Sequence, residues 1–391
     1  MLENCRWLLY ASRFYGCHPH TINERSILKH FHLLLVYSLT MCSLHCVMAY
    51  YATDVSSCIA KNAMIVGCTL QRINQYSQSI YIILSILLSC LRHIEFERAV
   101  AAACKFDDLT RHYHWSINNV QINHYTQYFF MMVIIITWSV FGVLRKLAVP
   151  QMALHIIVIQ CITRSTFSIE IAKFCFLYNA LRHRFHRLNG LCCELAGIGV
   201  NIDIGVSGLH AKRLTLPNLQ RLHCCLTNAT NYLTSYYNIQ LLCWISCLLI
   251  DILTFIFTIL YGVNNTLLIC VRCIILVQLT LQIIAISRVS HLTCDQANAL
   301  AETVYSVQAF SFKYIKSCTE AIELGVFLRT HPLRVRICDL FNLDSRFIFS
   351  VMIIQNSDFG VAILTPDAQA PRETVWTMSA ERPIARYGTA A

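Results

Sequence analysis

Charge is what this sequence has least of: Asp, Glu, Lys and Arg make up 13% of its 391 residues, against roughly 25% in a soluble domain. That scarcity excludes an ordinary water-facing surface over most of the chain. Glycine and proline are also few, 12 and 7 residues, with no Ser/Gly-rich tract and no internal repeat. This excludes a string of soluble domains joined by flexible linkers. A cleavable leader is missing as well, because Arg6, Arg13, Arg25 and Lys29 interrupt the start of the chain before an apolar run can form. The first true span is expected to do the targeting. Finally, no nucleophile elbow, phosphate loop or His-rich metal helix is present, so neither enzymatic chemistry nor a cofactor is expected.

What the chain has instead is apolar length. Hydrophobic residues reach 56%, and spanning about 30 Å of hydrocarbon takes roughly twenty mostly apolar helical residues, since unpaired backbone groups are not tolerated in lipid. Six stretches qualify, at 31–51, 78–91, 128–144, 152–171, 239–261 and 265–286. The sequence predicts an all-α, polytopic helical membrane protein. The net charge of +10 does not point to nucleic acid, because no aromatic–basic stripe interleaves the basic residues.

Those basic residues set the orientation. With alternate connections assigned to opposite sides, 21 Lys and Arg fall on one side, and only Lys61, Arg72, Arg145 and Lys146 fall on the other. Cytoplasmic segments retain positive charge, so the N-terminus is expected inside. That disfavours a G-protein-coupled receptor, and neither an acidic-Arg-Tyr nor an Asn-Pro-x-x-Tyr signature occurs. A transporter would show internal repeats and broken helices, which are not evident.

Two inner segments read as helical. The fourth span continues inward towards Arg187. After the sixth, Leu300, Val304, Val307, Phe310, Tyr314, Cys318 and Ile322 recur at spacings of three and four. That stripe suits either a peripheral helix of the same subunit or an anchor shared between subunits. The 21 cysteines sit mostly inside apolar runs and are expected to be packing residues. Cys270 and Cys273 are half a zinc motif without a second pair, and Cys58 with Cys68 is a candidate bridge in an outer loop. Of two sequons, Asn228 is expected inside and Asn264 close to the membrane, so neither is expected to be glycosylated.

Two motifs carry a family resemblance. Tyr10-Ala11-Ser12-Arg13-Phe14-Tyr15-Gly16, followed by Pro19, resembles the entry segment of insect gustatory receptors. His331-Pro332-Leu333-Arg334-Val335-Arg336-Ile337-Cys338-Asp339-Leu340-Phe341-Asn342-Leu343-Asp344 is similar to the segment leading into their seventh span, with Asp339 where relatives often have Gly. The resemblance covers residues 1 to about 354. It implies a chemoreceptor of sensory neurons, a subunit of a ligand-gated cation channel that is tetrameric with itself or related receptors and detects small-molecule tastants at the dendritic plasma membrane. An insect odorant receptor is a near neighbour.

The family's seventh span normally carries Thr-Tyr, a few apolar residues, then Gln-Phe, and this chain does not. Residues 347–354 begin such a span. Extending it to 364 buries Gln355, Asn356 and Asp358 near its middle, where an Asp alone costs roughly 2.5–3.5 kcal/mol. The polar residues 365–391 read as a disordered tail. The sequence after Ile354 is therefore read as a changed reading frame, retained intron or alternative exon, giving a subunit that does not conduct alone. A transcript proving this tail to be the expressed form would overturn that reading.

Ionisable residues inside spans are costly and mark function or pairing. Here they are Arg164, Glu170 and Lys173 in the fourth span, Asp251 in the fifth and Arg272 in the sixth. Asp251 and Arg272, on consecutive antiparallel spans, are expected to pair, and Glu170 and Lys173 to sit at the inner membrane interface. A tastant pocket open to the outside draws on the outer halves of the spans, which supply Tyr81, Trp138, Phe141, His155, Gln160, Phe255, Tyr261 and Arg272.

Overall fold

The computed structural model describes residues 5–18, 31–52, 65–111, 124–148, 150, 152–195, 216–261, 266–308, 315–338 and 341–343. Their helices run in the order α1 (Arg6–Phe14), α2 (Phe31–Ala52), α3 (Ile65–Leu91), α4 (His93–Arg111), α5 (His124–Ala148), α6 (Leu154–Leu195), α7 (Leu216–Tyr261), α8 (Thr266–Gln308) and α9 (Ile315–Thr330). A two-residue antiparallel ladder follows, β1 (Arg336–Ile337) against β2 (Phe341–Asn342). The chain is all-α and polytopic: among the described residues five helices can cross a membrane by length and composition, or six if the bent pair α3–α4 is one span. The chain divides into units 1–348 and 349–391. The doubtful seventh stretch, at 347–364, and the tail at 365–391 lie outside the described residues.

Length separates two regions. At about 1.5 Å per residue, the 46 residues of α7 extend about 69 Å, more than twice the hydrocarbon thickness. α6 and α8, of 42 and 43 residues, do the same. Their first or last halves therefore stand beyond the bilayer, at the basic end, termed the inner end. There α4 joins them, where the sequence reading had only a connecting loop. A 63° bend at Arg92 turns α3 into α4, and the Arg92 guanidinium bonds the Ser235 carbonyl of α7.

Each region has its own core. In the bundle, α6 lies centrally, and Phe167, Phe174, Tyr178, Tyr237, Trp244 and Ile283 are among its buried residues. At the inner end, Phe106, Phe185, Leu219, Leu226, Leu300, Val304, Leu324 and Leu328 form a second cluster. The expected stripe after the sixth span thus contributes Leu300 and Val304 from α8, whereas Ile322 on α9 is exposed. The outward faces of α2, α5 and α8 carry exposed Leu33, Val36, Val133, Ile136, Ile274 and Val277, the apolar surface that lipid requires.

The two resemblance motifs have physical roles. α1 ends in a Schellman cap: Gly16 at φ 82° donates its N–H to the Arg13 carbonyl, and Cys17 donates to that of Ser12. A side chain at Gly16 would place its Cβ 2.6 Å from that of Met41 on α2. In the second motif, Asn298 of α8 donates to the Leu333 carbonyl at 3.1 Å and accepts the Leu333 N–H at 2.8 Å. Asn238 of α7 accepts the N–H of Cys338, which has φ 48°.

Candidate functional site

The polar face of α6 organises the outer half of the bundle. Gln160, Arg164 and Ser168, four residues apart, fall on one side of the helix. Opposite them, Gly142 lets α5 approach closely, since a Cβ there would lie 2.5 Å from the Cys161 sulfur. That approach brings two of the expected pocket residues over Arg164. Its guanidinium carbon lies 5.1 Å from the Trp138 ring centre, 5.8 Å from Phe141 and 5.4 Å from Phe255 of α7. A buried cation in such a box gains from the ring quadrupoles.

The counter-charge is Asp251. Its carboxylate is 3.6 Å from Arg164 Nη1, and Gln78 of α3 donates to it at 2.6 Å. Arg164 is 7% exposed and Asp251 2%. The expected Asp251–Arg272 pair is therefore corrected: Asp251 pairs with Arg164, and Arg272 donates to the Thr258 carbonyl at 2.6 Å. The reason is depth. The Arg272–Thr258 contact sets the register of α7 against α8, which places Asp251 about seven residues, or roughly 10 Å, farther from the turn than Arg272.

Further contacts complete the shell. The Trp138 indole donates to Ser168 Oγ at 3.0 Å, and Gln282 of α8 donates to the same oxygen at 3.0 Å. Arg145 donates to Gln160 Oε1. Tyr81, buried one turn beyond Gln78, packs edge-on against Phe167 with ring centres 4.8 Å apart, and lies 6.2 Å from Trp244. So Trp138, Phe141, Gln160 and Phe255 gather around Arg164, with Tyr81 just below. His155 is exposed on the first turn of α6 and stands apart, Arg272 serves the α7–α8 hairpin, and the side chain of Tyr261 lies outside the described residues. Sequence reasoning did not name Gln78, Ser168 and Gln282 and left Arg164 out of the expected pocket list; the spacing of four among Gln160, Arg164 and Ser168 was the signal available.

A second buried ion pair lies farther along α6: Glu170 and Lys173 are 1% and 0% exposed. Lys173 Nζ is 2.6 Å from Glu170, whose other oxygen accepts from Ser12 of α1 at 2.5 Å. Lys173 also donates to Ser12 Oγ at 3.0 Å. The clasp holds the N-terminal helix onto α6.

At the inner end, Arg184 grips Asp107 of α4 through two hydrogen bonds, 2.9 and 2.7 Å. A cleft of about 650 Å³ lies between α7, α9 and the 331–336 segment, lined by His223, Asn228, Asn231, His331, Arg334 and Arg336 among others. Burial lowers the His223 pKa to about 4 against a bond to the Ala297 carbonyl. Among the described residues no His/Cys/Asp/Glu group is arranged to hold a metal, and Cys270 and Cys273 are free and exposed. Of the candidate bridge, Cys58 lies outside the described residues and Cys68 enters only as backbone of α3.

No family model matches the chain, and no curated protein sequence matches it. Among solved structures, the insect olfactory receptor OR5 from Machilis hrabei, in complex with eugenol, is similar: TM-score 0.63 over 92% of this chain and 97% of that one, at 13% identity. That likeness over nearly the full length of both chains establishes the fold as the polytopic helical architecture of that receptor.

Proposed function

We propose that this chain is an insect chemoreceptor subunit of the gustatory type, a ligand-gated cation channel component that detects a small-molecule tastant. The carrying observation is the box of Trp138, Phe141 and Phe255 around buried Arg164, in the half of the bundle away from the basic end, on a fold similar to that of an olfactory receptor. An apolar and aromatic wall with a few fixed polar groups is what a small-ligand site requires. In this reading Tyr81, Trp138, Phe141, Gln160 and Phe255 line or border the pocket, with Arg272 near its mouth.

The subunit sits in the plasma membrane of a sensory dendrite with its N-terminus inside, and assembles as a tetramer with itself or related receptors. Taste rather than smell rests on the resemblance of residues 10–16 and 331–344. An odorant receptor is the second reading, favoured by the olfactory identity of the similar structure. The non-conducting variant rests on the sequence after Ile354.

Expression in oocytes of the chain joined to an intact seventh span tests the proposal. Cation current evoked by members of a tastant panel, with an N-terminal epitope reached only after permeabilisation, is expected. Amino-end staining on intact cells, or a panel without current from protein shown to be at the surface, contradicts it.

A further inference from the structure

The chemistry of the ligand follows from which polar atoms of the pocket are left without partners. Arg164 Nη1 and Gln160 Nε2 are both buried and have no hydrogen-bond partner among the described residues. They lie one turn apart on the same face of α6. At 3.6 Å the Asp251 carboxylate attracts Arg164 without bonding Nη1, and that oxygen already accepts from Gln78. The rings around the guanidinium offer a quadrupole but no lone pair. Gln160 spends its own acceptor on Arg145.

Charge points the same way. Among the described residues the outer half carries Arg145, Lys146, Arg164 and Arg272, with Asp251 as the carboxylate. Arg145 lies within electrostatic reach of both other arginines. The site thus holds surplus positive charge beside two unpaired donors on one face of α6. Gln282 also keeps a buried Oε1 without a partner among the described residues, so water can meet part of this demand but cannot offset the charge. A carboxylate brings about four acceptor positions, no donor and one negative charge.

Resting on the chemoreceptor reading, we propose that the ligand of this pocket is a small organic acid: a carboxylate seated on Gln160 and Arg164, with an apolar body against Trp138, Phe141 and Phe255. The free acid and a lipid phosphate share this chemistry. Arg145 and Arg272, near helix ends, are placed to meet a phosphate, whereas Arg164 is enclosed.

The experiment uses the purified full chain in maltoside micelles, which contain no phosphate, and follows tryptophan fluorescence on adding 3-phenylpropionate or its acceptor-free counterpart propylbenzene. Wild type is expected to prefer the acid by about tenfold or more, because a site built to bond an oxygen rejects the analogue lacking it. Gln160→Leu reduces that preference several-fold and Gln160→Glu abolishes it, while the elution profile stays unchanged. Equal binding of the two compounds by wild type, or a preference surviving Gln160→Glu, overturns the acid proposal and leaves the pocket standing. Binding of neither compound contradicts the pocket itself. Acid preference that emerges only after added phospholipid assigns the charge to lipid and likewise overturns the proposal.

Discussion

The inner end and the outer half of this molecule use polar side chains for opposite purposes. At the inner end they join helices: Arg184 closes on Asp107 with two bonds, Asn298 imitates a strand to hold Leu333, and Asn238 caps Cys338. In the outer half, Gln160 and Arg164 keep donors that bond no acceptor among the described residues. Such donors cost stability when buried, about 1–3 kcal/mol each. Asn189 at the inner end and Trp244 in the bundle also keep a buried polar atom without a partner; what sets the outer half apart is that its two unpaired donors lie one turn apart beside a buried charge. Between the two stands the Glu170–Lys173–Ser12 clasp, which fastens α1 onto the helix that runs through both.

The largest expected effect breaks that boundary. Lys173→Met leaves the Glu170 charge buried without its cation and should cost about 3–5 kcal/mol, seen as loss of monodisperse protein on size exclusion. Adding Glu170→Gln should recover most of it; a single variant as stable as wild type would show that the clasp carries no charge.

At the inner end, pH is the next lever. The folded pKa of His223, about 4, lies below the ordinary value near 6.5, so the unfolded chain binds the extra proton first. Its contribution is intact above about pH 7 and is lost as pH falls through 6.5 towards 4, about 2 kcal/mol by pH 5. Thermal melts at the two pH values should separate in wild type and converge in His223→Asn.

Smaller changes sharpen the contrast. Asn298→Ala removes both bonds to Leu333 and should cost about 2 kcal/mol while leaving ligand affinity unaltered. Trp138→Ala should do the reverse at the site, weakening 3-phenylpropionate binding about tenfold or more. The smallest effect is a gain: Cys338→Gly relieves the positive φ at this non-glycine residue and should stabilise the hairpin by up to about 1 kcal/mol. Its melting temperature checks this.

Apolar length made the helices α2, α5, α6, α7 and α8 legible, because lipid demands long uncharged runs and little else resembles them. The inner halves were harder. α4 carries Glu95, Glu97, Arg98, Lys105, Asp107 and Asp108, so its buried stripe of Phe96, Ala99, Val100, Ala103 and Phe106 was hidden in a charged connection. α1 is nine residues long, too short to announce the cluster it closes, so the bond from Ser12 to Glu170 was not legible.

Trp138, Phe141, Gln160 and Phe255 were named through orientation and side-chain type, and the three rings surround Arg164. The pairing of Asp251 was not, because it depends on how α7 and α8 slide past one another and on α3 delivering Gln78 from a distant part of the chain. Register between helices is a tertiary quantity, and no spacing within one helix contains it.

Hydrogen–deuterium exchange of the full chain in micelles, with and without 3-phenylpropionate, tests the division most directly. Protection on binding is expected around Trp138–Gly142 and Gln160–Ser168, with the cleft at 223–231 and 331–336 unchanged. Protection confined to that inner cleft, with the turns around Arg164 unaltered, would place the ligand at the wrong end of the molecule and contradict the account.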